Sequence, residues 1–188
     1  MLPLVADLSG RRVVVIGAGK IGTRKAEQLI EAGALVTLIT KEVVGVVPKG
    51  LHETYLRPYQ HGDLAGAYLV VAATGDNAVN DAIVFESAEA NIWLNVVDDQ
   101  QRSNFFFTAV HRDGEVTVSI STEGASPALA QWIRTRVREA LPSNLAEVAR
   151  RIRVERQAHQ RAGGSTEDRS WTDRIEELVV ETSDENLR

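Results

Sequence analysis

The chain has 188 residues, a length that fits one domain with room for an appendage. Its apolar fraction of 44% and charged fraction of 25% exclude wholesale disorder. The net charge of −5 argues against a uniformly basic nucleic-acid binder, and the lack of cysteine excludes disulfides, thiolate metal sites and cysteine nucleophiles. No apolar run approaches the ~20 residues of a membrane helix. Since the N-terminal stretch also lacks the basic start of a signal peptide, we expect a cytoplasmic protein without membrane or nucleic-acid partners.

The first half of the chain alternates short apolar strands with helices. The run at residues 68–74 is apolar almost throughout, as expected for a strand that is covered on both faces. Alternation of this kind predicts a Rossmann-like α/β fold with a parallel sheet between two layers of helices. The predicted strands lie at residues 11–16, 34–40, 54–57, 68–74 and 91–98, and the predicted helices at residues 23–32 and 76–90.

The pattern changes after the fifth strand. Two strand-like runs, residues 105–110 and 115–121, flank the polar stretch 111–114 and predict an antiparallel hairpin or meander. Ser126 and Pro127 then open a helix, because serine caps the first amide groups of a helix and proline fits its first turn. Helices are predicted at residues 127–140, 143–162 and 170–181. We therefore predict three parts of the chain: a Rossmann-like domain (1–104), a small α+β segment (105–142) and a helical C-terminal domain (143–188).

A glycine-rich loop follows the first predicted strand. Residues 17–22 have the sequence GAGKIG and fit the pattern G-x-G-x-x-G. In this context the glycines permit a tight turn, close approach of a pyrophosphate to the backbone, and close packing of the next helix. Without that context the pattern would be no more than a glycine-rich turn. The predicted cofactor-binding residues of this loop are Gly17, Gly19, Lys20, Ile21 and Gly22.

The residues after the second strand bear on the choice of cofactor. Glu42 lies 20 residues after Gly22, which is the spacing expected of an acid that binds the ribose 2′-hydroxyl of NAD. It lies beyond the predicted end of the strand, however, and Lys41 beside it could instead favour the 2′-phosphate of NADP. Both residues could also be solvated surface groups. The local chemistry leaves NAD and NADP open.

Polar residues also follow the fourth strand. Ligands of an open α/β sheet lie outside the carboxyl ends of its strands, so Thr74 and Asn77 could line the cofactor site. Asp76 or Asn77 could equally cap the next helix. Both roles remain open at this point.

Two acids, Asp98 and Asp99, end the fifth predicted strand at the same edge of the sheet. Neighbouring residues of a strand point to opposite faces, so the two carboxylates are not expected to face a ligand together. A carboxylate beside a bound nicotinamide could act as a general base. Capping of a turn is the alternative role, and spacing alone does not decide between them.

Four segments taken together resemble one protein family. They are residues 2–40, DLAGAYLVVAATGDNAVN at 63–80, NVVDD at 95–99, and SISTEGASPALAQWIRTRVREALP at 119–142. Their arrangement is similar to the precorrin-2 dehydrogenase / sirohydrochlorin ferrochelatase family of siroheme synthesis, over about residues 1–150. The remaining residues are similar only in being helical.

This resemblance implies an oxidoreductase that oxidises precorrin-2, a tetrapyrrole, to sirohydrochlorin with NAD. It also implies a homodimer in which residues 105–142 form the dimerisation segment. In the family the aspartate of NVVD, here Asp98, is required for activity, and Lys41 and Glu42 fall at cofactor-contacting positions that favour NAD over NADP. Some members also insert Fe²⁺ into sirohydrochlorin, so a bifunctional dehydrogenase–ferrochelatase (a lyase as well) is the alternative. A nucleotide-sensing Rossmann module without catalysis is the third possibility.

The substrate implied by the resemblance carries many carboxylates. Ser121, Thr122 and Ser126 could hydrogen-bond to them, although strand and cap chemistry would account for the same residues. His111, in the predicted hairpin turn, could contact substrate, carry a proton or bind iron, or be an ordinary surface residue. The histidine spacing predicts no resident metal site.

Overall fold

The computed structural model describes residues 1–165, 167 and 169–185, with side chains up to Thr182. Within it the chain forms two compact units, residues 1–106 and the residues from 107 onward. The further division at residue 142 stays a prediction. No described helix is both long enough and apolar enough to cross a membrane. The first unit contains β1 (Arg12–Ala18), α1 (Lys20–Glu31), β2 (Leu35–Val43), β3 (Glu53–Leu56), β4 (Leu69–Ala72), α2 (Asn77–Glu89) and β5 (Trp93–Val96).

The five strands of the first unit form one parallel sheet in the order β3-β2-β1-β4-β5. The central strands β1 and β4 are buried over most of their length, and Val14 and Val70 have no exposed surface. Such burial on both faces explains why these strands are nearly continuous apolar runs. The predicted Rossmann-like α/β fold is confirmed.

The strand register brings the carboxyl ends of the strands to one edge of the sheet. Ile16 of β1 pairs with Ile39 of β2 and Ala72 of β4, and Ala72 pairs in turn with Val96 of β5. The loops that follow β1, β4 and β5 therefore emerge side by side. This edge carries every site residue that was predicted in the first half of the chain.

The second strand is longer than predicted. After an irregularity in the ladder between Ile16 and Ala18, Ala18 pairs with Val43, so β2 continues past its last buried residue, Thr40. The expectation that Glu42 lies beyond the strand end is wrong, because this extra pairing with β1 keeps residues 41–43 extended.

The second unit begins with a two-stranded antiparallel sheet whose first strand starts later than predicted. Asn104 is bound to β5, since its amide donates to the Leu94 carbonyl at 2.9 Å and its side-chain Oδ1 accepts from the Leu94 amide at 2.7 Å. The chain turns at Gly114, and His111 lies within the strand opposite Val118, so its predicted place in the turn is wrong. The elements are β6 (Ala109–Asp113), β7 (Val116–Ile120), α3 (Pro127–Ala140), α4 (Leu145–Arg161) and α5 (Trp171–Glu185).

The last two helices of the second unit pack together around a buried polar contact. Asn144, just before α4, donates from Nδ2 to the Val179 carbonyl at 2.9 Å and to Thr182 Oγ1 at 2.5 Å. Leu178 beside it is fully buried. Arg174 of α5 adds hydrogen bonds to both carboxylate oxygens of Glu155 on α4. Side-chain contacts of this kind fix the register of the helix pair.

Candidate functional site

The glycine loop between β1 and α1 shows why each of its three glycines is needed. Gly17 has a φ of 96°, and a Cβ there would lie 2.4 Å from the Ala73 carbonyl oxygen. A Cβ at Gly22 would lie 2.1 Å from the Gly17 carbonyl oxygen, whereas a Cβ at Gly19 would meet nothing within 4 Å. Gly17 and Gly22 therefore allow β1, β4 and α1 to approach one another. Gly19 leaves open space over the backbone, as a bound pyrophosphate requires.

The first turn of α1 presents free amide groups beside that open space. The helix begins at Lys20, three residues earlier than predicted, and its N-cap residue Gly19 has no side chain to cap it. The first intrahelical bond runs from the Thr23 amide to the Gly19 carbonyl at 2.9 Å. The amides of Lys20, Ile21 and Gly22 thus lie in the turn that has no intrahelical acceptor, at the positive end of the helix dipole. Such a helix start suits a phosphate group.

A crevice of about 330 Å³ lies over the carboxyl ends of β1, β2 and β4. Five of the predicted cofactor residues line it, and four others do not. Its walls also contain residues that were not predicted to bind the cofactor, which follow β3 and precede α2. The lining residues among the predicted set are Gly17, Gly19, Lys41, Glu42 and Thr74; Lys20, Ile21, Gly22 and Asn77 lie outside it, and Arg57, Tyr59 and Asp76 are additional lining residues.

The charged groups at the β2 end of the crevice differ in how they are paired. Lys41 and Glu42 are both exposed there. Arg57 forms a two-pronged ion pair with Asp63, from Nη1 to Oδ2 at 2.8 Å and from Nη2 to Oδ1 at 2.7 Å. These two hydrogen bonds lower the pKa of the Asp63 carboxyl and raise the pKa of the Arg57 guanidinium. The pair is therefore ionised on both sides.

A buried carboxylate on α2 holds the loop that carries Tyr59. Glu86 is only 7% exposed and accepts hydrogen bonds from the Tyr59 hydroxyl, the Gly62 amide and the Leu64 amide, the last two at 3.0 Å. His61 Nδ1 lies 3.2 Å from the same carboxylate. Burial and the bond to Glu86 raise the pKa of Tyr59. The Glu86 side chain thus holds the loop whose residue Tyr59 lines the crevice.

The start of α2 shows which residue caps that helix. The Asp76 carboxylate caps the helix, accepting from the amides of Ala78 and Val79 at 3.0 and 3.3 Å. Asn77 is the first helical residue. The Thr74 hydroxyl donates to Asn80 Oδ1 at 2.6 Å while lining the crevice. Asp76 takes the capping role, and cofactor contact by Thr74 and Asn77 stays a prediction.

Asp98 lies in a tight turn after β5, at the same sheet edge. The Asp99 amide donates to the Val96 carbonyl at 3.1 Å, and Asp98, the third residue of the turn, has a φ of 60°. This is the backbone of a type II turn, in which glycine or asparagine is usual at that position. The Asp98 side chain is exposed, and within the described part of the chain no hydrogen bond or ion pair engages its carboxylate.

Asp99 has a different task from its neighbour. Its Oδ1 accepts from the Arg102 amide at 3.1 Å, and its Oδ2 lies 3.1 Å from Arg102 Nε. Ser103 Oγ donates to the Asp99 carbonyl at 2.6 Å and accepts from the Val96 amide at 2.9 Å. These bonds close the turn and hold the backbone at Asp98 in place, and the expectation that only one of the two acids faces a ligand stays a prediction.

The substrate-contact candidates lie in the second unit. Ser121, Thr122 and Ser126 share one short loop, in which the Thr122 hydroxyl donates to the Ser126 carbonyl at 3.1 Å. The Ser126 hydroxyl accepts from the Leu129 amide at 3.2 Å and so caps α3, as predicted. His111 is half-buried within β6 rather than exposed in a turn. Their roles toward a substrate stay predictions.

Sequence reasoning missed the residues that shape the β3 side of the crevice. Glu86 carries the one available signal, because it lies three residues after the buried Ile83 on α2, where an unpaired acid would be costly. An acid on the buried face of a helix indicates a specific partner. The Arg57–Asp63 pair gives no such signal, since the path of the connecting loop determines whether the two residues meet. The described residues contain no cluster of three or more metal-ligating side chains.

Comparison with known protein families agrees with this geometry. An NAD(P)-binding family model matches residues 4–109, and the model of the central part of a sirohaem biosynthesis protein matches residues 113–140. The second model thus begins in β6 and ends with α3. Both predicted parts of the resemblance, the nucleotide fold and the segment after it, have separate support.

Individual relatives point the same way. The chain is 36% identical to the siroheme synthase of Photorhabdus laumondii over 153 residues, which is 79% of this chain and 33% of that one. It is 37% identical to siroheme synthase 2 of Aeromonas hydrophila over 162 residues, 81% of this chain and 33% of that one. The chain thus spans about a third of the length of these curated relatives.

A solved structure is similar over nearly the whole chain. It is that of SirC, a precorrin-2 dehydrogenase, with 25% sequence identity and a TM-score of 0.75. The similarity covers 96% of this chain and 88% of that one. It therefore includes the helices after residue 150, where the sequence resemblance ended.

Proposed function

Since the chain belongs to the precorrin-2 dehydrogenase and siroheme synthase family of NAD(P)-binding proteins, we propose that it oxidises precorrin-2 to sirohydrochlorin with NAD⁺ as hydride acceptor. One observation supports the proposal most directly. The open glycine-loop crevice and the exposed, unengaged carboxylate of Asp98 share one edge of the sheet.

The nucleotide is held mainly by backbone groups. The open surface at Gly19 and the free amides of Lys20, Ile21 and Gly22 would hold the pyrophosphate, which the helix dipole favours. Glu42 would accept a hydrogen bond from a ribose hydroxyl at the β2 end of the crevice. Thr74, which lines the crevice after β4, would contact the nicotinamide half of the nucleotide.

Asp98 handles the proton of the reaction. Oxidation removes a hydride and a proton from precorrin-2, and bound NAD⁺ supplies the hydride acceptor. The Asp98 carboxylate takes the proton, so that precorrin-2 and NAD⁺ give sirohydrochlorin, NADH and H⁺. The sheet geometry suits this role, because β5 lies two strand spacings, roughly 10 Å, from the glycine loop of β1. The turn that fixes Asp98 keeps its carboxylate in the solvent-facing position that such a base needs.

The test is NADH formation from precorrin-2 by the full chain, followed by absorbance. Asp98→Ala should reduce turnover by a factor of ~100 or more, because general-base catalysis contributes that much, while NAD⁺ binding measured by calorimetry stays unchanged. Normal turnover by this variant would contradict the proposed role. Adding Fe²⁺ or Co²⁺ to the product in the same cuvette tests the ferrochelatase alternative, and gel filtration tests the homodimer.

A further inference from the structure

The ribose side of the crevice holds a second cation beside Lys41. In the register of the sheet Thr40 pairs with Leu56, so Lys41 and Arg57 are adjacent at the ends of β2 and β3. Adjacent strands are about 5 Å apart. Both residues line the crevice at the strand end where this fold meets the 2′ position of an adenosine ribose.

Arg57 has the chemistry to bind a phosphate at that position, but its guanidinium is already engaged. Both of its terminal nitrogens donate to Asp63, and Nη1 also donates to the Pro58 carbonyl at 3.0 Å. Its guanidinium carbon lies 5.1 Å from the centre of the Tyr55 ring. The Asp63 side chain is only 12% exposed, so a ligand would have to displace a mostly buried partner.

We infer that Asp63 determines nucleotide specificity: by holding Arg57 it withholds the cation that would otherwise bind a 2′-phosphate, so that the crevice selects NAD over NADP. The four charged groups there, Lys41, Glu42, Arg57 and Asp63, sum to zero. Without Asp63 they would sum to +1 and include a free guanidinium fork, the group best suited to phosphate. The inference rests on the proposed function, because it takes this crevice as the nucleotide site.

The loop around Asp63 does not depend on its charge alone. Asp63 Oδ2 also accepts from the Gln60 amide at 2.8 Å, a bond that an amide oxygen can keep. Glu86 independently holds the amides of Gly62 and Leu64 on either side. Replacing Asp63 by asparagine therefore removes the negative charge and the bond from Arg57 Nη2, because an amide nitrogen cannot accept it, while the oxygen that binds the Gln60 amide is kept. Arg57 is then held by one neutral acceptor instead of an ion pair.

The experiment compares NAD⁺ and NADP⁺ binding to the full chain by calorimetry, without tetrapyrrole. Asp63→Asn should tighten NADP⁺ binding by about tenfold, which is the scale of one charge-assisted hydrogen bond, and change NAD⁺ binding by less than about twofold. The matched control is Glu139→Gln, which removes an acid from an exposed arginine pair with Arg136 in the second unit. The control should leave both affinities unchanged.

A double variant that lacks both Arg57 and Asp63 tests whether Arg57 is the group that binds the 2′-phosphate. The double variant Arg57→Gln/Asp63→Asn should lose the NADP⁺ gain, because the guanidinium is gone. If Asp63→Asn does not fold by circular dichroism, Asp63→Ser, whose hydroxyl can accept from Gln60, carries the same expectation.

The outcomes separate the inference from the function beneath it. Wild-type NAD⁺ binding with no NADP⁺ gain in the Asp63 variants would overturn the inference alone. A gain that persists in the double variant would overturn it as well. Failure of the wild type to bind either nucleotide would overturn both.

Discussion

The two ends of the functional sheet edge are built in opposite ways. At the β1 end, the site consists of backbone: Gly17 and Gly22 exclude side chains so that strands and helix can meet, and Gly19 leaves room for a ligand. At the β5 end, the proposed site depends on one side chain, Asp98, placed in a conformation that a glycine would adopt more readily. In the proposed function, nucleotide binding thus rests on the absence of side chains, while proton transfer needs a particular one.

The largest effect should come from the glycine end. Gly17→Ala should lower the free energy of unfolding by about 3 kcal/mol or more, because its Cβ would meet the Ala73 carbonyl oxygen and its φ is positive. Gly19→Ala should fold with normal stability and yet bind NAD⁺ about tenfold more weakly, since its methyl group occupies the phosphate space. Urea unfolding and calorimetry measure the two effects. Equal stability losses in both variants would contradict the division of roles.

A smaller loss should come from the wall of the crevice. Glu86→Ala leaves the Tyr59 hydroxyl, the Gly62 amide and the buried Leu64 amide without their acceptor, so we expect a loss of about 2 kcal/mol in unfolding free energy and weaker NAD⁺ binding. Glu86→Gln, which keeps one oxygen acceptor, should lose less. The control is Glu89→Ala on the exposed side of the same helix, which should change neither quantity. An Ala variant as stable as the control would show that Glu86 does not hold the loop.

The smallest change in stability should come from a substitution of Asp98 at the β5 end, and it should be an increase. Asp98→Gly relieves a positive φ, which should raise the unfolding free energy by about 1 kcal/mol while turnover is lost. Asn91→Gly is the matched control, because Asn91 also has a positive φ, 53°, and plays no part in the site. It should be slightly stabilised with normal turnover. Loss of stability in Asp98→Gly would mean that the aspartate supports its turn.

The periodicity of the chain predicted the parallel sheet and the glycine loop, because both depend on local patterns. It did not predict where β6 begins, since Asn104 is drawn to β5 by hydrogen bonds that no local preference reports. It left the capping roles of Asp76 and Asn77 open for another reason, because aspartate and asparagine are both favoured at an N-cap position. The pairing of Arg57 with Asp63 also escaped it, because that contact depends on the path of a loop.

The bonds from residues 103 and 104 to β5 have a consequence beyond the position of the next strand. β5 is the last strand of the sheet, and its outward amides at Leu94 and Val96 are taken by Asn104 and Ser103. An open outer strand is a template on which other chains can add and polymerise. Here Ser103 and Asn104 occupy the outer edge of β5, so the sheet is protected from edge-to-edge aggregation on this side.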